Sequence, residues 1–177
     1  MRSSTHRLRN LMVFAMIAAL MHATQFAMQG IPGVQLMGLF IAAITLTYRT
    51  RALIPIYVWV MLHGAFYGFI WAIPYLYIWL PLWGIFMLAG KIRLPNKALA
   101  PIYMVLCALY GLSFGALYAP FWAAWAGLSF KGMIAWIIAG LPVDIGYAIS
   151  NFAAGTLIIP LSLLLKKLHK RHESNFS

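Results

Sequence analysis

Apolar residues in this chain come in long runs, separated by short stretches that carry Gly, Pro or charge. A helix needs about 20 mostly apolar residues to cross a bilayer, with a working range of roughly 17–25. The runs that fit this pattern are 8–28, 33–48, 52–70, 73–90, 98–118 and 142–168. Between them lie QGIPG, TYRTR, IWAIP and KIRLPNK, each a helix breaker or a charge cluster. The pattern predicts an all-α integral membrane protein of six transmembrane helices, forming a single membrane domain over 1–177.

Residues 119–141, APFWAAWAGLSFKGMIAWIIAG, are apolar but interrupted by Pro120, Gly127, Lys131 and Gly132. They read as a long outer loop of short interfacial or re-entrant helices before the last span, with Trp122, Trp125 and Trp136 serving partly as interface anchors. A seventh span is the alternative. Charge decides against it, because Lys and Arg concentrate in cytoplasmic loops. With both termini cytoplasmic, the inner segments hold Arg2, Arg7, Arg9, Arg49, Arg51, Lys91, Arg93, Lys97, Lys166, Lys167, Lys170 and Arg171, against Lys131 alone outside. Five or seven spans would put the basic KKLHKR tail on the outer side.

Composition agrees: 64% of residues are hydrophobic and only 8% charged, where soluble domains carry about 25% charged residues. A net charge of +11 would suggest nucleic acid in a soluble protein, but here the cations cluster between apolar runs and form no basic stripe. The opening MRSSTHRLRN precedes an apolar run longer than the 7–15 residues of a signal peptide, so it reads as the flank of the first span. Cys107 stands alone in an apolar run, which leaves no disulfide framework and no cysteine metal site.

Polar groups inside the spans are sparse, so their helical register matters. Asp144 and Glu173 are the only acids. At about 100° per residue, Asp144, Tyr147, Ala148, Asn151 and Gly155 share one face, while Gly146, Ser150 and Ala154 share another. The first face should meet a cavity or protein interior, because lipid leaves polar groups unsatisfied. Asp144, following Pro142, also suits the first turn of the last helix, where the helix dipole stabilises an acid. Asn151 lies too deep for that role. The first span carries His22, Gln25 and Gln29 on one face, the third pairs His63 with Tyr67, and the fourth pairs Tyr75 with Trp79. These groups converge on an outward-facing pocket, although aromatic interface belts would explain several of them. Ala15, Ala19 and Ala23, spaced by four, form a small face suited to close helix approach.

Enzyme signals are weak. GLSFG at 111–115 matches G-x-S-x-G but lies in a predicted membrane helix with no strand before it, and the last span holds no histidine base. No HExxH, P-loop, paired carboxylates or His/Cys cluster is present, so the chain reads as a non-enzyme with no metal or cofactor.

The alanine motif AMIAALMHA, the segment AWIIAGLPVDIGYAISNF and the stretch VQLMGLFIAAITLTYRTRALIPIYVWVMLHGAFYGF followed by IPYLYIW resemble the substrate-binding S components of energy-coupling factor (ECF) vitamin transporters. The resemblance covers nearly the whole chain. It departs from the family's AGIPFD...GN pattern at Val143, where Phe is usual, and at Tyr147, where His is frequent. It implies a bacterial plasma-membrane protein that binds a micronutrient on the outer side, then topples on a module of one scaffold membrane protein and two ATPases. Gln29, Tyr67, Tyr75, Trp79, Asp144, Tyr147 and Asn151 would bind the solute, and Ala15, Ala19 and Ala23 would contact the scaffold. The near absence of outer cations disfavours an anionic ligand, many aromatics favour a neutral or cationic ring compound, and the branch resemblance points to cobalamin or a related corrinoid. The competing readings are a structural or assembly subunit and a proton-coupled transporter using Asp144.

Overall fold

A single arginine reverses the chain in its second apolar stretch. In the computed structural model, which describes the backbone of residues 2–174 and the side chains of Leu8 and residues 10–170, Arg49 adopts φ 56°, unusual for a residue with a side chain. Its guanidinium donates to the Met87 carbonyl at 2.8 Å, and the Trp83 indole donates to its own carbonyl at 3.3 Å, so the bend is held from both sides. The side chains of Arg2, Arg7, Arg9, Arg171 and Glu173 lie outside the described residues.

The described residues form helices α1 (Arg2–Met28), α2 (Met37–Tyr48), α3 (Leu53–Tyr67), α4 (Phe69–Ala72), α5 (Tyr75–Ala89), α6 (Asn96–Leu112), α7 (Phe114–Ala126), α8 (Phe130–Gly155) and α9 (Ile158–Ser174), with no strand among them. Five stretches are long and apolar enough to cross a membrane: Asn10–Met28, Met37–Tyr67, Phe69–Ala89, Asn96–Ala126 and Phe130–Gly155. The second of these doubles back at Arg49. Tyr48 meets Phe14 while Tyr67 bonds Gln29, so α2 runs against α1 and α3 runs with it. Tyr110 donates to the Ile78 carbonyl, and Arg49 reaches Met87, which sets α5 and α6 antiparallel. Gln35 meets Ser150 and Thr47 meets Ser162, so α8 and α9 together run alongside α2. Six legs thus alternate in direction, α1, α2, α3, α5, α6 and the α8–α9 pair.

Two boundaries differ from the sequence reading. Residues 119–141 are no long loop: α7 and the first half of α8 form a helical hairpin turned at 127–129. Gly127 closes α7 at φ 64°, Leu128 N–H returns to the Ala123 carbonyl, and Ser129 Oγ accepts the Gly132 N–H at 3.2 Å to start α8. The last helix therefore does not begin at Pro142. Pro142 sits on an exposed face inside α8, and the break comes instead at 156–157, where Pro160 has no N–H to offer the carbonyl of Thr156. Thr156 and Leu157 N–H tighten onto Ala153 and Ala154 as the helix ends.

The tightest seam joins α6 to α8. A Cβ at Gly111 would lie 2.8 Å from the Tyr147 backbone, and one at Gly155 would lie 2.7 Å from Met104 Cα. Glycines on both helices let the backbones approach, and large α8 side chains fill the space beside them. The GLSFG segment is thus a packing element that breaks at Ser113, between α6 and α7.

Candidate functional site

A cavity of about 250 Å³ opens at the end of the bundle opposite Arg49, roofed by the α1–α2 loop. That loop is fastened to α8. Gly33 and Gly146 touch so closely that a Cβ on Gly146 would lie 2.7 Å from Gly33 Cα, and Gln35 N–H donates to Ser150 Oγ at 3.1 Å. The small face of the last long helix, Gly146 and Ser150, thus receives a loop rather than a helix.

The cavity wall brings together Gln25 from α1, Gln29 and Gln35 from the α1–α2 loop, Tyr75 from the start of α5, and Val143 and Tyr147 from α8. Tyr67, from the end of α3, donates its hydroxyl to Gln29 Oε1 at the rim. None of the lining residues carries a charge. Tyr75 is the aromatic hub: its ring lies 4.8 Å from His63 and 5.8 Å from Trp59, both stacked, with Trp79 edge-on at 5.4 Å. Phe114 extends this cluster to Tyr147, edge-on at 5.4 Å. Such offset and edge-on pairs each contribute about 0.5–1.5 kcal/mol beyond burial, so the wall behind the cavity is stiff.

Buried polar atoms without a hydrogen-bond partner gather around this cluster: Gln25 Oε1, Gln35 Oε1, His22 Nδ1, His63 Nδ1, Trp59 Nε1 and Trp79 Nε1. Folded proteins leave few such groups, because each costs about 1–3 kcal/mol. Gln25 and Gln35 are also cavity-lining residues, with their Oε1 atoms buried just behind its surface.

Of the residues singled out in the sequence, Gln29, Tyr67, Tyr75 and Tyr147 meet at the cavity and its rim. Trp79 stands behind Tyr75 in the buried layer. Asp144 and Asn151 turn elsewhere. Asp144 is buried mid-helix, not in a first turn, and both its oxygens accept the Gly115 N–H at 3.1 Å. The dipole it meets belongs to the start of α7, not to its own helix. Asn151 donates Nδ2 to the Tyr147 carbonyl at 2.9 Å and presses Oδ1 against Gly38, where a Cβ would come within 2.2 Å. Asp144 ties α8 to α7, Asn151 packs α8 against Gly38 of α2 and Gly111 of α6, and the face they share thus meets α2, α6 and α7.

Gln25 stood out in the sequence with His22, but Gln35 did not. Its signal was a lone amide just before an apolar run, and only the fold of the loop carries it to the cavity. Ala15, Ala19 and Ala23 are exposed on the outer face of α1. Among the described residues no group of three or more His, Cys, Asp or Glu side chains could hold a metal. The chain matches no family model, no curated protein and no solved structure.

Proposed function

We propose that the protein is a membrane-embedded solute-binding subunit, the S component of an ECF-type importer in a bacterial plasma membrane. The observation that carries this reading is the uncharged aromatic cavity, with Gln25, Gln29 and Gln35 among its lining residues. Tyr75 and Tyr147 offer ring faces and edges to a planar solute, and the glutamines choose among its donors. An anion finds no charge partner there, whereas a neutral ring or a delocalised cation can stack on the aromatic side chains.

The cavity volume of about 250 Å³ lies just below the roughly 300–1,000 Å³ of drug-sized sites. It suits a compound of one or two small rings; a corrinoid would need the α1–α2 loop to leave Gly146 and Ser150. The charge pattern supports the sidedness expected from the sequence. Arg49, Arg51, Lys91, Arg93 and Lys97 lie at or beside the turns at the end away from the cavity, and the preference of Lys and Arg for cytoplasmic loops supports reading that end as the cytoplasmic one. The cavity then faces outward. In this reading the scaffold protein, which carries the two ATPases, docks on the exposed Ala15, Ala19 and Ala23 face. A proton-coupled transporter would rest on Asp144, whose oxygens are already engaged by Gly115.

The test is purification in mild detergent, mass spectrometry of co-purified small molecules, and titration with neutral and cationic ring-bearing vitamins. The expected result is one tightly bound compound whose affinity falls at least about tenfold in Tyr75→Ala and little in Tyr75→Phe, given about 1–3 kcal/mol for a stacked ring. No binding from the panel, with the protein monodisperse, would favour a structural subunit instead.

A further inference from the structure

A second concave region lies at the basic end, between α1 and α9. Its apolar part is a groove of about 680 Å³ walled by Val13, Ile17, Leu20 and Ala23 of α1 and by Leu165 and Leu168 of α9. It runs along α1 from Asn10 to Ala23, about 20 Å at 1.5 Å per residue. One leaflet of a hydrocarbon core is about 15 Å deep, so an acyl chain fits its length.

The groove does not end blindly. Asn10, Phe14, Tyr48 and His169 also line a smaller alcove of about 180 Å³, whose remaining wall is Thr47, Thr50 and Arg51. An apolar trough therefore opens directly into a polar niche holding a guanidinium, hydroxyls and an amide. Thr47 is engaged with the carbonyls of Ala43 and Ser162, and Tyr48 packs edge-on to His169 at 5.5 Å, which fixes the niche walls. Arg49 differs from its neighbour here, since its guanidinium is turned away to Met87.

Charge selects the occupant. Arg51 is exposed, and Lys166 and Lys170 follow on the same stretch of α9. The one acid with a described side chain, Asp144, is at the other end of the bundle bonded to Gly115. A basic niche at the membrane interface, continuous with a chain-length apolar groove, matches a negatively charged headgroup with its tail attached.

From this we infer that the α1–α9 groove and the Arg51 alcove bind one anionic phospholipid, its acyl chain along Ile17 and Leu20 and its phosphate beside Arg51 and Thr50. The site is separate from the solute cavity and does not depend on the function proposed for it. Ala19 and Ala23 line the groove as well. A partner helix seated there would therefore compete with the lipid.

Native mass spectrometry of the full chain in mixed micelles, with dioleoyl phosphatidylglycerol or dioleoyl phosphatidylcholine, tests the inference. Wild type should retain a single phosphatidylglycerol in clear preference to phosphatidylcholine. Arg51→Gln should cut that preference about fivefold, the equivalent of about 1 kcal/mol per basic residue at an anionic lipid surface. Ala19→Phe, which fills the groove from an exposed position, should reduce retention of either lipid about tenfold or more, because it removes the chain site. Met61→Phe, on the flat apolar face formed by Leu53, Ile54, Tyr57, Val58 and Leu62, should change neither. Equal retention of the two lipids overturns the inference, as does an unchanged preference in Arg51→Gln. Loss of lipid in Met61→Phe equal to that in Ala19→Phe would identify ordinary annular lipid and also sink it.

Discussion

The two ends of the bundle handle polar groups in opposite ways. At the cavity end, Gln25, Gln35, His63 and Trp79 are drawn inside with atoms that find no protein partner, and no charge lines the space they surround. At the other end the cations stay at the surface, and the one that turns inward, Arg49, caps the last turn of α5 through Met87. Neutral dipoles can be buried unpaired at about 1–3 kcal/mol each, whereas an unpaired buried charge costs far more. The uncharged cavity can therefore serve as a selective interior site, and the basic end offers its surface to something anionic.

The sharpest way to break the cavity end is through its backbone contacts. Gly111→Val forces a side chain against the Tyr147 backbone, and should lower stability by about 3 kcal/mol, read as a large drop in the thermal unfolding midpoint in detergent. A near-wild-type midpoint would mean the α6–α8 seam can open. Asp144→Ala leaves the Gly115 N–H unpaired in a buried site and should cost about 2 kcal/mol, with Asp144→Asn recovering most of it. Unchanged solute affinity in the Asn variant would confine Asp144 to holding α7.

At the basic end, two neighbouring arginines should behave unlike one another. Arg49→Ala loses the bond to Met87 and should destabilise by about 1.5 kcal/mol. Arg51→Ala should stay within about 0.5 kcal/mol in the same unfolding assay, because its side chain is exposed. Similar losses at both would erase the distinction between a capping and a surface cation. At the cavity rim the expected effect is again small. Tyr67→Phe removes one hydroxyl bond to Gln29 and should weaken solute binding by roughly 0.5–1 kcal/mol, about two- to fivefold, by calorimetric titration.

Much of this architecture was legible in the chain. Periodic breaks located the reversals at QGIPG, TYRTR and KIRLPNK, and Arg49 makes its turn inside the second of them. The start of the long last helix is not legible locally, for a definable reason. Pro142 looks like a helix start when read locally, but a proline on an exposed helix face removes one hydrogen bond without a clash against neighbouring elements. Pro160, hidden in an unbroken apolar run, makes the real break. At the candidate site, Tyr75 and Tyr147 were visible as amphipathic aromatics in apolar helices. Gln35 was not, since a loop residue has no periodicity to report which way it faces.

AGLPVDIGYAISNF shows where the two kinds of information divide. Read along the chain, this stretch lies in an apolar helix long enough to cross a membrane, and Asp144, Tyr147 and Asn151 share a face. Transfer free energy and helical register are local properties, nearly additive along the chain, and so can be read without a fold. What that face meets depends on how distant segments pack. Gly115, Gly111 and Gly38 are distant in sequence, and their missing side chains make room for Asp144, Tyr147 and Asn151. Of the three, only Tyr147 reaches the cavity; the carboxylate and the amide are spent on closing the gaps that glycine leaves between helices.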